Sequence, residues 1–246
     1  MSLSVFTRLI ESVHDYVLSD IIIDCVIGRK YVGIHSKYGT GLAFTSDEAW
    51  REAERLGPER MESAFRGTSL SEAVAGYADV DPLRSALGLA AINSFHSQKG
   101  EPDPLTWFQN LRGKKRLGMV GYFYPIMDRL ALTGIEPVIF ELRPLPGTHR
   151  PEEAEQLMPT CDVVLITGAS FANKSVDHYI PFIAPDAEAF IFGHSTPLAD
   201  FLLERFTLGS AAVLDKDAVF TAIRSGLGLR GFKEHIRKVI QWKKAP

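Results

Sequence analysis

Apolar and polar positions alternate in two ways along this chain, and the pattern changes near its middle. In the first half Val5, Leu9, Val13, Tyr16 and Val17 recur near a 3.6-residue period, which predicts an amphipathic helix over Leu3–Leu18. Two β-branched runs follow, Ile21–Ile27 and Tyr31–His35, separated by Gly28, Arg29 and Lys30, and they predict a hairpin. A third short run, Gly41–Thr45, follows a turn at Tyr38, Gly39 and Thr40. Ser46 and Asp47 are both good caps for a charged helix over Glu48–Leu56. Leu70–His96 reads as two helices broken near Asp79 and Pro82, the second so rich in small and aliphatic residues that burial all round is expected.

The second half has a different grammar. Four apolar runs, Leu117–Pro125, Pro137–Pro144, Asp162–Ser175 and Glu188–Pro197, each end in a cluster of small, polar or acidic residues. Helical patterns follow near Ile126–Leu132, Glu152–Leu157, Ser175–Ile183, Pro197–Phe206 and Lys216–Ser225, with a last amphipathic helix expected at Phe232–Trp242. Strands alternating with helices imply a parallel sheet with right-handed crossovers, whose strand ends open on one edge. The expected fold class is therefore α/β: a small α+β domain over residues 1–97, a linker over 98–116, and a Rossmann-like parallel sheet with helices on both faces over 117–246. The linker is rich in Pro, Gly and charge, and its turn at Leu105–Leu111 offers Trp107, Phe108 and Leu111 to cap a core.

Composition narrows the classes. Net charge is −3, so no bulk basic field exists to hold nucleic acid or an anionic membrane. No apolar run approaches a bilayer span, and Glu11, His14 and Asp15 interrupt the first apolar pattern, which argues against a signal peptide. Two cysteines, Cys25 and Cys161, each in an expected strand, exclude a disulfide framework, and a cytoplasmic location follows as the default.

In open α/β sheets ligands bind outside the carboxyl ends of the strands, which turns the four run ends into candidates. Gly121 supplies a tight turn, while Tyr122 and Phe123 suit stacking on a flat ring better than cradling a phosphate; the alternative is that the aromatic residues only cover the sheet edge. Glu141 ends the second strand about twenty residues later, where a ribose hydroxyl would be held, unless it simply pairs with Arg143. Thr167, Gly168 and Asn173, with Ser170 and Ser175, form the most polar end, with capping as the alternative. His194, Ser195 and Thr196 follow the fourth strand, but Pro197 stands where a nucleophile elbow needs glycine, so Ser195 is not read as an acylating serine. From the first half, Gly39, Thr40, Gly41 and Asn93 are not explained by packing, and they are the candidates for an opposing wall. His35 and His96 could ligate a metal, yet the seven histidines and two cysteines form no ligand cluster, so no metal site is expected.

Taken in order, VIGRKYVGI, GTGLAFT and LGLAAINS in the first half, with VGYFYP, FELRP, DVVLITG, GHSTPL and GLGLRGFK in the second, resemble a prokaryotic family labelled heavy-metal chelation proteins. The chain departs from the family pattern at His194, where proline is typical, and at Ala169–Phe171. The resemblance implies an enolase-N-terminal-like domain before a Rossmann-like one, and a site drawing on both. It also implies a role in making or handling pterin-, flavin- or siderophore-like chelators, so that chelation is a pathway label rather than direct metal binding. The leading expectation is an enzyme of unknown reaction acting on a pterin-, flavin- or nucleoside-like compound. The alternative is a non-catalytic binding protein for a metal chelate or cofactor. A small-molecule ligand is expected as partner, without nucleic acid or membrane; turnover, cofactor and a homo-oligomer stay open.

Overall fold

The structure, a computed structural model, describes residues 4–97, 99–103, 113–130, 134–143 and 145–244. The expected turn at Leu105–Leu111 lies outside these residues, as does the end of the expected helix at Ile126–Leu132.

The first half is an antiparallel meander packed on one long helix. Helix α1 (Val5–His14) is capped by Ser4, whose side chain accepts from Thr7 N. It leads to β1 (Asp24–Ile27), β2 (Tyr31–Ser36) and β3 (Gly39–Phe44), in the order β1-β2-β3. Lys37 and Tyr38 make the second turn, and Gly39 pairs with Ser36, so the expected turn at Tyr38–Thr40 sits one residue earlier than its glycine suggested. Helix α2 (Asp47–Leu56) is capped by Ser46, as its sequence implies. Helix α3 (Pro58–Phe65), which the apolar pattern did not reveal, follows directly, and α4 (Leu70–Ala75) precedes α5 (Pro82–His96). Twelve of the fifteen α5 residues are buried, because the helix lies between the meander and the second half.

The second half forms a seven-stranded sheet: β4 (Glu101–Pro102), β5 (Arg116–Val120), β6 (Glu136–Phe140), β7 (Val163–Thr167), β8 (Glu188–Phe192), β9 (Thr207–Val213) and β10 (Ile236–Gln241), in the order β4-β10-β9-β8-β7-β5-β6. The run from β6 to β9 is parallel, and β10 and β4 add antiparallel at one edge. The connecting helices are α6 (Tyr124–Leu130), α7 (Ala154–Leu157), α8 (Ala169–Ala172), α9 (Val176–Tyr179) and α10 (Lys216–Arg224), with α11 (Leu229–Phe232) before β10. Side chains alternate across the sheet: Leu117 and Met119 enter one apolar cluster with Ile126 and Leu130, while Val120 enters the other.

Three expectations are corrected. Phe232–Trp242 is not a helix: Val239 and Ile240 sit on opposite faces of β10, one in each apolar cluster, a period-2 use of a run that also fits a helical wheel. Pro197–Phe206 forms only a 3₁₀ turn at Asp200–Glu204. Cys161 precedes β7 rather than lying inside a strand.

The halves meet along the carboxyl ends of the parallel strands. Tyr77 Oη donates to Phe171 O at 2.8 Å, Lys174 Nζ to Asp79 O at 2.7 Å, and Phe44 N to Ser195 Oγ at 2.7 Å. The largest apolar cluster runs unbroken across this seam, from Leu9 and Leu89 to Ile191 and Leu208. Helix α10 reaches back to cover the outer face of the meander, where Val219, Phe220 and Ile223 pack on Val26 and Leu42.

Candidate functional site

Strand β3 is an edge strand, paired with β2 alone, and its free edge faces the loop after β8. Two bonds hold that loop in place, Phe44 N donating to Ser195 Oγ and Asn93 Nδ2 to Ser195 O at 3.2 Å, and Asn93 Nδ2 donates also to Leu42 O of β3 at 2.8 Å. Leu42 O and Phe44 N point away from β2, so the alternation of an antiparallel strand directs Leu42 N–H the same way. Glycines permit the close approach. A Cβ on Gly41 would stand 2.1 Å from Ser94 N of α5, and one on Gly168 would stand 2.5 Å from Thr196 Oγ1.

Between these elements lies a cavity whose interior, about 10 Å³, is the size of one water. Strand β3 supplies Thr40, Gly41 and Leu42; α5 and its cap supply Asn93, His96 and Ser97; the second half supplies His194, Thr196, Leu198, Ser210 and Ala211. None of these side chains is an acid, a lysine or an arginine. Asn93 Oδ1, both ring nitrogens of His96 and Thr196 Oγ1 are buried without a protein partner, in residues at most 7% exposed. Such groups cost about 1–3 kcal/mol each when unpaired. Burial, with the nearby Lys99 ammonium, pushes the His96 ring down to about 3. Burial, with Lys238, pushes His194 down to about 4. His194 also meets Tyr31 and Phe232 edge-on, at 5.8 and 6.3 Å between ring centres. At neutral pH both imidazoles are therefore uncharged, and the cavity is polar yet free of formal charge. Thr40 Oγ1 lies 2.9 Å from His35 Nδ1, on the strand beside it.

The sequence candidates divide into three groups. Thr40, Gly41, Asn93, His194 and Thr196 line the cavity; Ser195 and Gly168 brace it from behind. Gly121, Tyr122, Phe123 and Glu141 gather at the ends of β5 and β6 instead, where Glu141 accepts from Tyr122 N at 3.2 Å and Arg143 N at 3.3 Å. The Arg143 guanidinium meets Asp47 rather than Glu141. Thr167 and Asn173 are engaged locally: Thr167 Oγ1 accepts from Ala169 N, and Asn173 Oδ1 accepts from Ser175 N and Oγ, the capping arrangement. Gly39 serves the hairpin. His96, which the sequence offers as a metal ligand, stands three residues after Asn93, so both share one face of α5. The cavity also lies away from the point where strand order reverses, between β5 and β7, because β3 docks against the loop after β8.

A directly held heavy metal does not fit these residues. The cavity offers neither thiolate nor carboxylate, its two imidazoles come from α5 and from the loop after β8, and no group of three or more His, Cys, Asp or Glu among the described residues could hold a metal ion.

Two family models, each described as "Putative heavy-metal chelation", match residues 103–241 and 10–96. A solved protein of unknown function from Desulfitobacterium hafniense DCB-2, from the family of the first model, is similar over 97% of this chain and 99% of its own, with 22% identity and a TM-score of 0.80. One from Pyrococcus horikoshii, of the same family, is similar over 96% and 97%, with 18% identity and a TM-score of 0.74. No curated protein matches the chain.

Proposed function

The chain belongs to the heavy-metal-chelation family, and from that premise we propose that the seam cavity binds an uncharged, polar edge of a small organic chelator or its precursor. One observation carries the reading: three side chains, Asn93, His96 and Thr196, are buried with unpartnered polar atoms at one cavity that has no charged lining. Burying such atoms is unfavourable unless something pairs with them. A single water does not suffice, since Nδ1 and Nε2 of His96 leave the ring in different directions. Asn93 Oδ1 accepts, Thr196 Oγ1 both donates and accepts, and neutral His96 offers one donor and one acceptor. Leu42 N–H adds a backbone donor. That set complements the amide-like edge of a pterin- or flavin-type lactam, or a hydroxamate. A free anion finds no cation there, and a metal enters as cargo of the organic molecule. The cavity is the size of one water, so the edge enters while the body of the ligand stays at the seam.

Binding, rather than turnover, is the function the geometry supports best. Burial raises the Cys25 thiol to about 12, and Ser195 Oγ is spent on Phe44 N, so neither is an activated nucleophile. The test is Thr196→Val, which keeps the shape and removes a hydroxyl that has no protein partner. Titration calorimetry with lumazine, lumichrome and acetohydroxamate, each with and without copper(II), should show affinity falling by about 1–2 kcal/mol in the variant, with thermal stability unchanged or higher. Equal losses of affinity and stability would reassign Thr196 to bracing the seam. Failure of all three compounds to bind would reject this ligand class.

A further inference from the structure

The unpartnered atoms and the missing charges of the seam cavity constrain its ligand jointly. Asn93, His96 and Thr196, which carry those atoms, are 7%, 3% and 1% exposed. The lining residues that reach solvent are Ser97, His194, Ser210 and Ala211, so the cavity opens on their side and the three buried residues stand at its closed end. Lys99 and Asp200 are the charged groups whose fields reach the His96 ring, and they meet each other at 3.0 Å outside the lining. We propose that the ligand has two separate polar edges: a neutral N–H and C=O edge that enters the closed end, and a metal-donor edge that stays at the mouth. A fused heteroaromatic lactam has this form, and the protein then holds the same molecule with or without its metal. The proposal rests on the cavity being a ligand site, and it decides between the ligand chemistries that fit it.

Three observations keep the metal out of the closed end. An interior of about 10 Å³ accommodates one water-sized group, not an ion with its donor atoms. The lining has no carboxylate or thiolate to balance a divalent cation, and burying one unbalanced is strongly unfavourable. Asn93 Oδ1 needs a donor, and metal binding removes the very proton with which a hydroxamate would supply it. The metal-donor edge of a hydroxamate is its only polar edge, so metal and protein compete for it. In a fused lactam the two demands are separated. The N–H donates to Asn93 Oδ1, the flanking carbonyl accepts from Thr196 Oγ1 or the His96 ring N–H, and no atom of that edge is spent on the metal. Because neither nitrogen of His96 has a protein partner, its tautomer is free to match whichever carbonyl or N–H it meets.

Titration calorimetry on the full-length protein tests this with lumazine-6-carboxylate, whose imide edge lies apart from the ring nitrogen and carboxylate that chelate, and with acetohydroxamate, which has one edge. Each is titrated alone and premixed with equimolar copper(II), with copper(II) alone as the blank. Copper should change the dissociation constant of the lactam less than about three-fold and weaken acetohydroxamate at least ten-fold. Methylation of the lactam at its imide nitrogen should weaken it at least ten-fold in both states. Thr196→Val should weaken the lactam by the same factor with and without copper, since the edge it touches is not the one that carries metal. A copper-loaded lactam that binds ten-fold more weakly than the free one, or a copper hydroxamate that binds as well as the free compound, would overturn the two-edged ligand. Binding of metal-free acetohydroxamate without any binding of the lactam would overturn it too. Failure of both metal-free compounds to bind would instead reject the ligand site itself, and this proposal with it.

Discussion

His96 is the residue whose environment is least balanced. Its ring is 3% exposed, neither nitrogen has a protein partner, and burial pushes its pKa down to about 3. The folded form refuses a proton that the unfolded chain takes up near the ordinary value of 6.5. Between those two values the unfolded state binds more protons, so the contribution to stability is full above pH 6.5 and is lost progressively as pH falls. His194 acts in the same direction down to about 4. His96→Leu fills similar space without orphaned atoms, so stability at pH 7 should rise by about 1–3 kcal/mol. Its melting temperature should also fall less than the wild type's between pH 7 and 5, a window above that of Asp20 and Asp24, whose pKa values are lowered. A variant less stable than wild type at pH 7 would show that the imidazole packs better than its hydrogen bonding implies.

Among the elements, α5 and β3 are the pair that make the site, and their contact depends on a missing side chain. A Cβ at Gly41 would lie 2.1 Å from Ser94 N and 2.2 Å from Ala90 O, both backbone atoms of a helix buried on nearly all sides. Neither can yield as a flexible side chain would. Gly41→Ala should therefore cost about 3 kcal/mol or more in urea unfolding, and should separate Asn93 from Leu42 O. A loss below about 1 kcal/mol would mean that the strand shifts away without penalty.

Across the whole molecule, a charged network ties the second half to the outer face of the first. Glu62 is 3% exposed; its carboxylate accepts from Ile27 N and from Arg224 Nε of α10, both at 2.9 Å, with Arg66 at 3.5 Å. Lys216, at the start of the same helix, meets Asp24 at 2.8 Å. We propose that residues 1–97 and 117–246 remain meaningful units of sequence, but α10 closes the core of the first from within the second. Arg224→Ala leaves the Glu62 carboxylate with one long ion pair. Because Arg224 is partly exposed, the expected loss is about 2 kcal/mol, less than the roughly 3–5 kcal/mol of a fully buried pair. Urea unfolding checks both that loss and its effect on cooperativity; an unchanged midpoint would mean that Arg66 suffices.

Periodicity and turn chemistry, read alone, determined the meander, the burial of α5, the parallel core of the sheet and the polar strand ends, because these follow from neighbours within a few residues. They also brought out Thr40, Gly41 and Asn93, which local packing left unexplained, and His194 and Thr196, which follow the fourth apolar run. The last strand was not legible, since IRKVIQ satisfies either period and only pairing with β9 selects one. Nor was the placing of the cavity. Gly121, Tyr122 and Glu141 occupy the strand ends where ligand sites of this layout are usual, whereas docking of an edge strand 151 residues away in sequence, at Phe44, encloses the loop at Ser195. Which polar groups lose their partners is decided by that contact, because burial without a hydrogen bond is a property of the assembled seam and of no segment by itself.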